Sequence, residues 1–258
     1  MDDFFNRPIE NAFPMIMIDG KAVGSMHVIT AMGITAQGEK QILGLLAGAT
    51  ENSLVVKDLL ADLIKRGLNA DIPHLFIIDG AKALSKAIKD TFGKRALIQR
   101  CQVHKKRNVL SYLPKSEQTN VGLAISKAYL EFDYEEAFQQ LTVLTEKLER
   151  RYPSAAASLL EGLEETLTVH RLQIPATLRK TLSNTNPIES ANSVAASVVR
   201  RVNNWQNGEM VLRHMAVAFL EAEQSFHRIN GYREIPLLLA ALAKEVGFNQ
   251  TDFEVLTA

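Results

Sequence analysis

The sequence predicts an α/β protein: a mixed sheet, an all-helical insertion and a helical C-terminal region. Three observations carry this. Short apolar runs bounded by turn residues fill roughly the first 50 positions. Strand and helix patterns then alternate up to about residue 100. From Val103 to about Glu165 the periodicity is helical throughout.

Met15–Asp19 reads as an apolar strand that stops at Asp19-Gly20, and Ser25–Ile34 as a second. The turn Thr35-Ala-Gln-Gly38 leads into a third strand, Lys40–Leu46, which completes an antiparallel meander. A helix follows, capped by Asn52 or Ser53, with Val55, Val56, Leu59, Leu60, Leu63 and Ile64 on its apolar face and a stop at Arg66-Gly67. Next come a buried-looking strand, His74–Ile78, ending in Asp79-Gly80; a helix, Ala81–Phe92, closed by Gly93; and a short strand, Arg95–Gln99. The order β-β-β-α-β-α-β with a meander start is that of a ribonuclease H-like sheet. In that arrangement the first and fourth strands are neighbours, which brings Asp19 and Asp79 together.

The helical block breaks at Arg151-Tyr-Pro153. A later helix starts at Asn186, with Asn186 as N-cap, Pro187 at the first helical position and Glu189 at the third. Ile188, Ala191, Ala195, Val198, Val199 and Val202 can face a core, while Glu189, Asn192, Ser193, Ala196 and Arg200 lie on another side. A last helix spans about Gly208 to Arg228. The chain divides on this reading into residues 1–110, the first part of the core; 111–180, the helical insertion; and 181–258, the completion of the core with the Glu helix and the C-terminal helices.

Composition bounds the classes. At 258 residues and 47% hydrophobic, the chain can bury a real core. No apolar run reaches the roughly 18 residues of a membrane span. One cysteine, Cys101, excludes an internal disulfide framework and fits a reducing cytoplasm. Net charge is zero but unevenly distributed. Residues 80–115 hold ten Lys/Arg against one acid, and residues 131–165 nine acids against three bases. Basic runs are solvated helix faces or phosphate-backbone surfaces, and charge alone does not separate the two. Lys105, Lys106, Arg107 and Asn108 form one such cluster. Arg200 and Arg201 form another, next to Trp205, a candidate for base stacking that is equally a core anchor.

Asp19, Asp79 and Glu189 are the candidate chemistry. A strand-end Asp before Gly is also a common turn former. Glu189 also fits a capping box. Two carboxylates on neighbouring strands joined by a third suit a hard divalent cation, which relieves their mutual repulsion. Cys101-Gln-Val-His104 is half of a zinc pattern. With no second cysteine and no paired histidines, a closed structural zinc site is set aside, as is a Cys–His nucleophile. A packed Cys beside a hydrogen-bonded His at a helix start is the expectation.

Several blocks together resemble the Mutator-type transposases of bacterial insertion sequences, over nearly the whole chain. They are Asp19-Gly20, Gly44-Leu45 with Ala49-Thr-Glu-Asn52, Arg66-Gly67-Leu68, Ile78-Asp79-Gly80 with Lys82-Ala-Leu84, Gln99-Arg-Cys101-Gln-Val-His104 with Arg107-Asn108, and Thr185-Asn186-Pro-Ile-Glu189. The block Gln99–Leu113 is the most specific. The resemblance implies a DDE recombinase: a ribonuclease H-like core, a helical insertion before the Glu, and two Mg²⁺ (or Mn²⁺) ions held by Asp19, Asp79 and Glu189 as catalytic acids. It implies that Cys101 and His104 are structural and site-supporting. The partner it implies is double-stranded DNA, both insertion-sequence ends and target, bound by a homo-oligomer with no membrane involved. The activity it implies is metal-dependent phosphodiester cleavage and strand transfer.

Family members resemble this chain only after a longer N-terminal region that recognises the element's ends. Here Met1 lies 18 residues before Asp19. The expectation is a catalytic domain without that region. One alternative is a non-catalytic truncated fragment that binds DNA or full-length transposase. A weaker one is a nuclease acting on RNA–DNA hybrids.

Overall fold

A computed structural model describes residues 2–23, 26–48, 53–200 and 207–248. The elements run α1 (Asp2–Phe5), β1 (Met15–Val23), β2 (Met26–Ile34), β3 (Lys40–Gly48), α2 (Ser53–Lys65), β4 (His74–Ile78), α3 (Lys82–Phe92) and β5 (Ala96–Arg100). Helices follow: α4 (Gln102–Ser111), α5 (Lys115–Leu130), α6 (Tyr134–Glu149), α7 (Pro153–Leu160), α8 (Leu163–Thr166), α9 (Thr168–Arg171), α10 (Ala176–Leu182), α11 (Asn186–Val199), α12 (Gly208–Glu223) and α13 (Ile235–Val246).

The five strands form one sheet in the order β3-β2-β1-β4-β5. β1, β2 and β3 pair antiparallel; β4 is parallel to β1, and β5 is parallel to β4. The expected meander and the adjacency of the first and fourth strands are both present.

Side chains alternate across a strand, so residue parity decides which layer each one meets. Ile16 and Ile18 of β1 and Phe76 and Ile78 of β4 pack with α2 and α3, against Val56, Leu60, Leu84 and Ile88. Met15 and Met17 of β1 and Leu75 and Ile77 of β4 face the opposite layer, where Ile188 and Ala191 of α11 and Met215 and Phe219 of α12 close the core. Asp19 and Asp79 continue the odd parity, so both sit on the face covered by α11. The helical block packs on itself through Val109, Ile125, Ala137, Leu141, Leu159 and Leu167.

Several expected boundaries shift; β3 runs on to Gly48, and α12 ends at Glu223 rather than near Arg228. β1 does not stop at Asp19: its pairing with β4 ends at Ile18, but its hairpin with β2 continues through Asp19↔Thr30 to Val23↔Met26. The fifth strand lies one residue later than expected, because a 3₁₀ turn takes up Gly93–Arg95. Helix α11 is capped by Thr185, not by Asn186. The block Ala49–Asn52, including the candidate cap Asn52, lies outside the described residues. Among those residues, no helix is long and apolar enough to cross a membrane.

Candidate active site

The parallel β1–β4 pair aligns Ile18 with Ile78, so Asp19 and Asp79 are the next residues of two adjacent strands. They are held differently. Asp79 leaves its strand, and its Oδ1 accepts a hydrogen bond of 2.9 Å from the Ala81 N–H. The turn role and proximity to Asp19 therefore coexist. Asp19 stays inside the β-hairpin and is 7% exposed. Its Oδ2 accepts from Asn192 Nδ2 at 2.8 Å. Burial raises the Asp19 pKa to about 6, and the negative charges of Asp79 and Glu189 push in the same direction against the Asn192 hydrogen bond. Asp79 and Glu189 therefore both act on Asp19 electrostatically.

Glu189 reaches the site through α11. Ile188, Ala191, Ala195 and Val199 bury one side of the helix. Asn192, one turn beyond Glu189, turns inward to Asp19 and is 1% exposed. With Thr185 as the cap, Glu189 is the fourth helical residue rather than the third. Its N–H bonds to Thr185 O at 2.9 Å, and its Oε1 accepts from the Thr185 hydroxyl. The reciprocal contact of a capping box is thus replaced by a bond to the cap's side chain. Asn186, the expected cap, has its N–H bonded to Asn184 Oδ1 at 2.9 Å.

Cys101 is the residue before α4, wholly buried, and His104 lies in the first turn. Burial works to raise the thiol's pKa, but hydrogen bonding with His104 and Thr185 outweighs it and lowers it. His104 shifts upward, chiefly through its hydrogen bond with Cys101. Its Nδ1 is 3.4 Å from Thr185 Oγ1 and 3.7 Å from Glu189 Oε1. The expected packed Cys beside a hydrogen-bonded His is present, and the pair reaches the third acid through Thr185.

The basic cluster on α4 divides. Lys105 is 5% exposed; its ammonium bonds to Ser158 O at 2.7 Å and to the carbonyl and carboxylate of Glu161. It pins α4 to α7 and is not available to a phosphate. Lys106 Nζ bonds to Ser126 Oγ at 2.6 Å. Arg107 and Asn108 are exposed, as is Arg200 at the end of α11. Arg201 and Trp205 lie outside the described residues.

Several residues near the acids were not singled out as functional from sequence. Asn192 had a signal, its i+3 spacing from Glu189, but the spacing alone does not turn it inward. Lys21 shares the parity of Asp19 and donates to Ser193 Oγ at 3.4 Å. Arg100, at the end of β5, donates to Gly80 O at 3.2 Å beside Asp79 and to Glu161 Oε1 at 2.7 Å. Its Nε also pairs with Glu165.

Fold and site define an α/β protein with a five-stranded mixed sheet, helices keyed to it by Arg100, and Asp19 and Asp79 at the ends of adjacent strands; among the described residues the group of donor atoms that lies within 4.8 Å is Cys101, His104 and Glu189, not the three acids. The Mutator family of transposases matches residues 1–228, and the chain belongs to that family. It is similar to the transposase for insertion sequence element ISRM5 of Rhizobium meliloti (strain 1021), 30% identical over 89% of this chain and 58% of the relative. It is similar also to the transposase for IST2 of Acidithiobacillus ferrooxidans, 29% identical over 69% of this chain and 58% of the relative. The transposase for IS6120 of Mycolicibacterium smegmatis is 33% identical over 63% of this chain and 49% of its own length. The matched part is thus about half to three-fifths of these relatives.

Proposed function

We propose that this chain is the catalytic core of an insertion-sequence transposase of the DDE type on a ribonuclease H-like sheet, cleaving and joining DNA phosphodiesters. The observation that carries the reading is the placement of Asp19 and Asp79 directly after the paired Ile18 and Ile78, together with the effect of the Asp79 and Glu189 charges on Asp19. A buried Asp19 carboxylate, crowded by the charges of Asp79 and Glu189 and bonded by the Asn192 amide, fits a divalent cation, which would remove the cost of ionising it.

On this reading Asp19, Asp79 and Glu189 hold Mg²⁺ or Mn²⁺, as two ions. Bound there, the metal supplies Lewis-acid stabilisation and an activated oxygen nucleophile for in-line displacement at phosphorus. The chain's own residues supply the rest. Asn192 orients the Asp19 carboxylate, and the Ala81 N–H fixes one oxygen of Asp79. Thr185 aims Glu189. Cys101 and His104 brace Thr185 from behind. Lys106, Arg107, Asn108 and Arg200 contact the DNA backbone; Lys105 drops out of that set because its ammonium is buried.

The test is nicking of supercoiled plasmid in Mg²⁺ or Mn²⁺ by wild type and Asp79→Asn. Nicking should fall to background in the variant while its circular dichroism and melting stay those of wild type. Wild-type nicking by Asp79→Asn would remove Asp79 from the mechanism. Competition between DNA duplex and RNA–DNA hybrid separates a transposase core from a hybrid-directed nuclease.

A further inference from the structure

The one thiol of the chain lies beside an imidazole and a carboxylate. Cys101, His104 and Glu189 each offer a ligand atom, and the three atoms lie within 4.8 Å of one another. Thiolate, imidazole and carboxylate around a tetrahedral Zn²⁺ have bonds of about 2.0–2.3 Å, which places the donors roughly 3.3–3.8 Å apart. The pair His104 Nδ1 and Glu189 Oε1 is already at 3.7 Å. Closing the remaining gap takes side-chain rotation of about an ångström. The sequence pattern Cys-x-x-His lacks its other half within the chain's local order, and the fold supplies a third donor 85 positions after His104.

We propose that Cys101, His104 and Glu189 form an open, three-ligand site for Zn²⁺ or another thiophilic divalent metal, distinct in chemistry from the all-carboxylate site but sharing Glu189 with it. A thiolate selects zinc or cobalt over magnesium, whereas carboxylates alone suit magnesium. The site is open rather than closed. Cys101 is buried, but the side chains of His104 and Glu189 keep 21% and 36% of their surface, so the fourth position faces solvent. Occupation must draw the Glu189 carboxylate, which accepts from the Thr185 hydroxyl, toward the sulfur and away from a second metal. Zinc is therefore an antagonist of hard-cation binding at Glu189. This consequence for cleavage rests on the proposed function; the metal site itself does not.

Cobalt tests it, because a thiolate–Co²⁺ bond gives a charge-transfer band and tetrahedral cobalt gives visible bands, and Cys101 is the sole possible source of the thiolate. Co²⁺ is titrated into the full chain with a non-thiol reductant, then displaced with Zn²⁺. We expect one Co²⁺ per chain with a charge-transfer band that Zn²⁺ abolishes. Cys101→Ser should remove the band. His104→Gln and Glu189→Gln, at partly exposed positions that leave the core untouched, should each weaken binding at least about tenfold, the loss typical of removing even an outer partner of a ligand. Asp79→Asn should leave the band unchanged. A wild-type chain without the band overturns the site, as does a band of undiminished affinity in both His104→Gln and Glu189→Gln, which would mean a thiol acting alone. Because the spectrum needs no DNA and no Asp79, it can succeed where the plasmid-nicking test fails, and the reverse. With both in hand, Zn²⁺ should inhibit Mg²⁺-dependent nicking by wild type and lose potency at least about tenfold against Cys101→Ser.

Discussion

Asn192 Nδ2 donates a 2.8 Å hydrogen bond to Asp19 Oδ2, tying the central strand to the helix that carries Glu189. The bond crosses from β1 to α11 over 173 positions of sequence, and both residues are buried. Asn192 favours the charged form of Asp19 against burial and two neighbouring acids. Asn192→Ala should therefore raise the Asp19 titration midpoint further above about 6, as followed by carboxyl-carbon NMR. The stability cost at neutral pH should be about 1–2 kcal/mol, a hydrogen bond to a charged group partly offset by removing Asn192 Oδ1, which has no partner among the described residues. An unchanged midpoint would mean that Asn192 is a packing residue only.

Asp19 makes a second prediction, about pH. Its pKa moves from the ordinary 3.8 to about 6 on folding, so the folded protein binds this proton more tightly than the unfolded chain. The protonated carboxyl contributes stability below about pH 4, and that contribution is lost as pH rises through about 6. At neutral pH the ionised side chain costs up to about 3 kcal/mol of stability. Asp19→Asn keeps an acceptor for Asn192 and removes the charge. It should melt above wild type by several degrees at pH 7–8, at roughly 2–4 °C per kcal/mol, and match wild type below pH 4. Mg²⁺ should raise the wild-type midpoint at pH 7.5 and leave the variant's unchanged. A variant less stable than wild type at pH 8 would contradict the buried, crowded carboxylate.

How much of this was legible follows from what each signal reports. The apolar runs Met15–Ile18 and His74–Ile78 exposed the two strands, and the element order made Asp19 and Asp79 neighbours. The end of β1 was not legible, because Gly20-Lys21-Ala22 carries no apolar pattern and is held by backbone pairing with β2 alone. Asn186 is as good a cap as Thr185 by propensity, and it is the bond from the Glu189 N–H to Thr185 O that makes Thr185 the cap and puts Asn186 inside the helix. Charge counting found Lys105 through Arg107 but could not tell that Lys105 faces α7, whose carbonyls arrive more than 50 positions later. Glu189 joins Cys101 and His104 for the same reason: tertiary packing brings together groups that no local pattern relates.

Arg100 couples α7 and α8 to the end of the sheet that carries Asp79. Its side chain is 8% exposed and holds Glu161, Glu165 and the carbonyl of Gly80 together. Burial works to raise the pKa of both carboxylates, yet the hydrogen bonds and charges of Arg100 with Lys105 or Lys89 prevail and hold them below the usual range. Removing one member of a buried charge network leaves the others uncompensated. Arg100→Ala should cost about 3 kcal/mol in urea unfolding and make the α7–α8 junction a preferred site of limited proteolysis. Loss of stability without new cleavage there would mean that the insertion is seated by its apolar core alone.

Gly162, at that junction, has φ +65°, and a Cβ there would lie 2.5 Å from the Arg100 guanidinium carbon. Gly162→Ala therefore carries two costs: the left-handed backbone, about 1–2 kcal/mol, and displacement of Arg100 from its carboxylates. Gly247 isolates the first. It has nearly the same backbone, φ +74°, and nothing within 4 Å of the added carbon, so Gly247→Ala should cost about 1 kcal/mol. Gly162→Ala should exceed that by about 2 kcal/mol, and the excess should disappear in an Arg100→Ala background, where the space is vacant and the ion pairs are already gone. Denaturation of the two single variants and the double variant measures the coupling. Full additivity would show that Arg100 swings aside freely, and would end its assignment as the key between the insertion and the sheet.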